Sequence, residues 1–183
     1  AGPPRVLSND QALAIALYTY DLGDASTDGG RDNFFAGLNN ALRSRDDAAV
    51  EPLLPYLFHL TQGLSRLPRF VGRVFRGIPE SDIETIRAEY TIGRHVTWSA
   101  FTSTSMSVGF AHEFAGRGGV IFRIAVTNGR KVGQYSHFER EGEVLLSPGT
   151  KLCVVGDLVA NEETGFWYLD MTVMEADDGD FDY

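Results

Sequence analysis

The chain has 183 residues, enough for one domain with a sizeable core, and its 43% hydrophobic and 22% charged residues are globular values. Sixteen basic against 25 acidic residues give a formal charge of −9, which argues against a sequence-independent grip on nucleic acid or anionic lipid. The single cysteine, Cys153, excludes an intrachain disulfide, and no apolar run approaches the ~20 residues of a membrane span.

In chain order, helices come first. "RDNFFAGLNNALRSR" places Phe34, Leu38, Ala41 and Leu42 on one stripe, and "EPLLPYLFHLTQGLSRL" does the same with Leu53, Leu57, Leu60 and Leu64. Between the early helices, "GDASTDGGRD" is a polar loop. After Pro68 the texture changes. "RFVGRVFRG" predicts a strand, and "PESDIETIRAEY" a helix opened by a Ser81/Glu84 capping box. "HVTWSAFTSTS" predicts a strand, and "SVGFAHEFAG" a short helix stopped by Gly116. "GVIFRIAV", "TNGR" and "KVGQYS" predict a hairpin turning at Asn128-Gly129. Strands follow at "EVLLSP", "TKLCVVGDLVA" and "GFWYLDMTVME", then an acidic tail, "DDGDFDY". The order predicts an α+β fold in one domain, with a helical part over about 8–67, a β-rich core over about 68–176 and the tail at 177–183.

Three short motifs carry chemistry. In "EREGEVLL", Glu141 and Glu143 are two apart and would share a face if extended. The pair suits acid–base or charge-stabilising work, or else is a solvated loop before an edge strand. In "VFRG", Arg76 ends an apolar strand, where its planar fork suits a phosphate or simply meets solvent. In "WSAFTSTSMS", the hydroxyls of Ser103, Thr104 and Ser105 close an apolar strand, as ligand contacts or as caps for the next helix. The histidines at 59, 95, 112 and 137 show no metal-ligand spacing, so no metal is expected.

Taken in order, Phe75-Arg76-Gly77, Phe101-Thr102-Ser103-Thr104-Ser105 and Glu141-Gly142-Glu143-Val144-Leu145 resemble the R-S-E class of mono-ADP-ribosyltransferases. The leading "YTYDL" and "FFAGLNNALRS" resemble the helical region of its arginine-specific members, and "AHEF" resembles the helix carrying a nicotinamide-side aromatic. The resemblance runs from about Asp10 to about Glu175 and implies a strand-rich, NAD-binding core of two packed sheets behind the helices. The disulfides of the animal ecto-enzymes have no counterpart here. Bacterial toxins, effectors and intracellular relatives therefore stay open, as does a cytoplasmic or secreted location.

The resemblance implies roles. NAD is the co-substrate, held by Arg76, Gly77, Ser103, Thr104, Ser105, Phe114 and Glu143. Glu143 stabilises the oxocarbenium-like ribose as nicotinamide departs, with Ser103 holding its carboxylate and Arg76 binding the phosphate and ribose region. Glu141 orients a guanidine and accepts its proton. Tyr135 and Phe138, in the turn before, are expected to touch the acceptor. The acceptor is a target-protein arginine or a small guanidino compound. The same Arg, Ser and Glu would also serve an NAD glycohydrolase that uses water, and a silent NAD- or protein-binding module is the third reading. The oligomeric state is left open.

Overall fold

The computed structural model describes residues 7–19, 34–135 and 142–174. The polar loop, the acidic tail, Phe138 and Glu141 lie outside them. The helical layer comprises α1 (Asn9–Thr19), α2 (Phe34–Ser44), α3 (Asp47–Val50) and α4 (Leu54–Arg66). The Asp46 side chain caps α3 by accepting from the Ala48 N–H at 3.0 Å. Pro55 lies in the first turn of α4, and the helix end at Leu67 turns extended (ψ 148°) directly before Pro68, as the proline ring requires. Gly63 of α4 lies close under α1, where a Cβ would meet Ile15 Cδ1 at 3.1 Å. Ile15, Tyr18, Leu38, Leu60 and Leu64 form the core between these helices and continue onto Phe101, Val132 and Leu145 of the β region. The helical layer is thereby fixed against the strands that carry the motifs.

Strand β1 (Arg69–Ile78) leads to α5 (Ile83–Glu89), β2 (His95–Trp98), β3 (Thr102–Ser105) and α6 (Val108–Ala115). Then come β4 (Val120–Lys131), β5 (Glu143–Leu146), β6 (Thr150–Val154), β7 (Val159–Asn161) and β8 (Phe166–Val173). The strand order is β1-β3-β5-β4-β8-β6-β2, with β7 on β8 and a further pairing of β1 to β4. The sheets expected as two packed layers share the 12-residue β4, so hydrogen bonding runs through all the described strands. Val74, Phe122, Ile124, Val144, Leu146, Leu152, Leu169 and Met171 are buried together in one core cluster.

Three local expectations are corrected. The Asn128-Gly129 hairpin does not form, because β4 runs straight through it and pairs Gly129 with Phe70. A Cβ at Gly129 would press on Val144, so that glycine serves packing rather than a turn. The Ser81/Glu84 capping box is absent: residues 80–82 form a 3-10 turn and the Ser81 hydroxyl donates to Asp82 instead. "HVTWSAFTSTS" breaks at Ser99–Phe101 into β2 and β3, which pair with different partners, β6 and β5.

Candidate active site

The site grows from the register of three strands. Strand β3 lies antiparallel to β5, with Ser105 opposite Glu143 and Ser103 opposite Leu145. Ser103, Ser105 and Glu143 therefore project from one face, and Thr104 from the other, because side chains alternate. Ser103 and Glu143 are diagonal neighbours, a separation that the longer glutamate side chain can span. The Ser103 hydroxyl donates to Glu143 Oε1 at 2.6 Å, a charge-assisted distance. Glu143 is 8% exposed, so its carboxylate is held in place rather than solvated.

Strand β1 meets β3 at one residue pair, Phe75 opposite Ser105, while its other edge pairs with β4 along its length. Where the β1–β3 ladder stops, the side chain of Arg76 takes over, and its Nη1 donates to the Ser103 carbonyl at 2.8 Å. Ser103 thus joins the two charged residues: its main chain accepts from Arg76 and its side chain donates to Glu143. The spacing of 27 residues on one side and 40 on the other closes into one hydrogen-bonded row.

Residues from the helical layer complete the electrostatics. Burial lowers the Arg76 guanidinium from its ordinary value, Tyr18 opposes that, and the like charge of Arg43 adds to it. An arginine stays protonated regardless, so Arg76 remains a cation at this site. Tyr18 is buried, and burial drives its phenol above the ordinary range. The Asn39 Nδ2 donates to the Tyr18 oxygen at 3.2 Å and pulls the other way. The same phenol senses the Glu143 and Arg76 charges. Asn39 is fully buried, and its Oδ1 has no partner among the described residues. Tyr18, Asn39 and Arg43 belong to the segments whose resemblance was noted above, yet no role was assigned to them.

The other expected residues fall in distinct places. Thr104 is buried, and its hydroxyl donates to the Val144 carbonyl at 2.6 Å, tying β3 to β5 on the core side. Ser105 shares the Glu143 face, and its Oγ accepts from the Ser107 N–H at 2.9 Å at the start of α6. At Gly77 a Cβ would run into the Ala111 carbonyl and lie 2.8 Å from the Ala115 nitrogen, so close approach of α6 demands the glycine there. Phe114, on α6, is 70% exposed. Tyr135 is half-buried at the end of a short 3-10 turn after β4 and packs on the helical core cluster. Gly142 has φ +56°, and β5 begins only at Glu143. The extended-strand reason for placing Glu141 beside Glu143 therefore does not hold across Gly142.

A fold that joins a buried carboxylate to an arginine through one serine suits a ligand with both anionic and incipient cationic character. A family model described as NAD:arginine ADP-ribosyltransferase matches residues 1–170, and the chain belongs to that family. The Mycobacterium avium (strain 104) protein Mav, provisionally named an NAD(+)–arginine ADP-ribosyltransferase, is 32% identical over 171 residues, covering 92% of this chain and 18% of Mav. The NAD(+)–protein-arginine ADP-ribosyltransferase Tre1 of Serratia proteamaculans (strain 568) is 29% identical over 165 residues, covering 89% of this chain and 32% of Tre1. The chain thus spans between about a fifth and a third of the length of these relatives. Among solved structures, the Vibrio splendidus ADP-ribosyltransferase Vis, in complex with agmatine, superposes with a TM-score of 0.67 at 20% identity, over 94% of this chain and 77% of that one. At that identity the likeness establishes the fold. No helix among the described residues is long and apolar enough to cross a membrane.

Proposed function

We propose that the chain transfers ADP-ribose from NAD to the guanidine of an arginine, with release of nicotinamide. The observation that carries the reading is the row Arg76–Ser103–Glu143, assembled from three strands and closed by two hydrogen bonds. Membership of the NAD:arginine ADP-ribosyltransferase family supports it.

The chemistry follows from where charge develops. The bond between the ribose C1′ and the nicotinamide nitrogen breaks, and its electron pair leaves with nicotinamide, which becomes neutral. C1′ becomes oxocarbenium-like, and a nearby carboxylate stabilises it electrostatically. Glu143 supplies that carboxylate, and its low exposure strengthens the interaction. Ser103 fixes it, so little reorganisation is needed as the bond breaks. Arg76 and Arg43 together suit the two negative charges of the pyrophosphate. Phe114, exposed on α6, is available to cover the nicotinamide ring. The acceptor nitrogen then bonds to C1′ and loses a proton, for which Glu141 is the proposed base. Gly77 serves chiefly by letting α6, and with it Phe114, sit against β1.

Incubation with NAD, with and without agmatine, tests the reading by product analysis. ADP-ribosyl-agmatine together with nicotinamide is the expected outcome. Free ADP-ribose alone would replace transfer by hydrolysis, and intact NAD under both conditions would remove the enzymatic reading.

A further inference from the structure

Helix α6 lies on the sheet along Ala111 and Ala115, which form a buried cluster with Ile121. An alanine line allows close approach but gives the helix no long side chain to lock into the sheet. The roll of α6 about its own axis is therefore set by the residues on its two flanks. At about 100° per residue, His112 falls roughly 80° to one side of the alanine line and Phe114 roughly 80° to the other. Phe114 is exposed, whereas His112 is half-buried and held from three directions. Its ring lies flat on Phe166, with centroids 4.2 Å apart and planes within 4°. Its Nε2 shares a hydrogen bond with the Tyr168 hydroxyl at 2.9 Å, and the Tyr168 ring stands edge-on to it at 6.2 Å. Tyr168 is fixed in turn. Its hydroxyl donates to Thr164 Oγ1 at 3.3 Å, and the Arg123 guanidinium sits over its ring at 5.2 Å. Asp170, the register partner of Arg123 on β8, binds that guanidinium through two hydrogen bonds of 2.7 and 2.6 Å.

A continuous set of contacts thus runs from the β4–β8 ladder through Tyr168 to one flank of α6. We propose that His112 is a positioning residue for the nicotinamide end of the cleft. By tying that flank to β8 it fixes the roll of the helix, and the roll sets the direction in which Phe114 leaves the opposite flank. This rests on the proposed place of Phe114 at the nicotinamide ring. The Arg76–Ser103–Glu143 row does not pass through His112, Phe166 or Tyr168, so the effect is confined to nicotinamide and spares the ADP-ribose part of NAD.

The test titrates nicotinamide and ADP-ribose separately, by NMR, into wild type, His112→Ala, Tyr168→Phe, Phe114→Ala and the double variant His112→Ala/Phe114→Ala. His112→Ala should raise the Kd of nicotinamide about fivefold and leave that of ADP-ribose within about twofold. Tyr168→Phe, which removes one hydroxyl and keeps the ring, should raise the nicotinamide Kd about two- to threefold. In the Phe114→Ala background the His112→Ala effect should shrink to less than about 1.5-fold, because it acts through Phe114. A His112→Ala protein that loses ADP-ribose as much as nicotinamide overturns the proposal, as does an effect undiminished in the double variant. A nicotinamide Kd unmoved by Phe114→Ala overturns the reading of Phe114 and the proposal with it. A Kd raised by Phe114→Ala but not by His112→Ala or Tyr168→Phe overturns the proposal alone.

Discussion

Replacing Ser103 by alanine removes one hydroxyl and leaves the main-chain carbonyl that accepts from Arg76 at 2.8 Å. The two halves of the site are thereby separated. What is lost is the 2.6 Å hydrogen bond to Glu143 Oε1, on a carboxylate only 8% exposed, where water is a poor substitute. A hydrogen bond to a charged group contributes about 1.5–3 kcal/mol. If that energy orients Glu143 toward the developing cation, its loss lowers kcat by roughly ten- to a hundredfold. The KM for NAD should move by less than about threefold, because the Arg76 contact remains and the lost interaction is felt mainly in the transition state. Steady-state nicotinamide release across an NAD series measures both constants, and Ser103→Thr, which keeps the hydroxyl, should recover part of the rate. A kcat for Ser103→Ala within about twofold of wild type would refute the reasoning, as would a rise in KM with kcat unchanged.

Two further predictions concern the frame around the site. Gly77→Ala drives a methyl group into the α6 backbone at Ala111 and Ala115, where neither strand nor helix can yield cheaply, so it should cost about 3 kcal/mol or more and lower Tm by roughly 6–12 °C; a Tm within about 2 °C of wild type would show that α6 moves aside. Tyr18 gives a pH dependence. Its folded phenol titrates above the ordinary value of 10.0, chiefly through burial, so above that pH the unfolded chain gives up a proton that the folded chain retains. The stability that Tyr18 contributes is complete below pH 10 and declines as the pH rises, by about 1.4 kcal/mol at pH 11. Urea unfolding at pH 9 and 11 should therefore show Tyr18→Phe losing less stability between the two than wild type, and equal losses would mean that the phenol is not buried in solution.

The site was legible in the sequence to the extent that it lies in strands. Arg76, Ser103 and Glu143 sit in short motifs whose alternation already separates cleft-facing from core-facing side chains, and the register of β3 on β5 converts that alternation into a hydrogen bond. Thr104 illustrates the same rule in reverse, since one step along the strand places it on the core side, bonded to Val144. The hairpin at Asn128-Gly129 was misjudged because its turn signal is local, whereas Gly129 is fixed by two long-range neighbours, Phe70 and Val144. Gly142 misled for a related reason. The two-residue spacing of the glutamates presupposes an extended chain, and a glycine is the residue free to depart from it. Tyr18, Asn39 and Arg43 acquire meaning only when the helical layer is packed on the strands, since nothing in their own segments points toward Glu143 or Arg76.

The central claim is that Glu143, held by Ser103, stabilises the ribosyl cation formed from NAD. Nicotinamide release and ADP-ribosyl-agmatine formation by Glu143→Gln, measured beside wild type at matched Tm, test it most directly. The substitution preserves shape and removes the charge, so both products should disappear while the fold is retained. Near-normal turnover by Glu143→Gln would contradict the account and move the chemistry to another carboxylate.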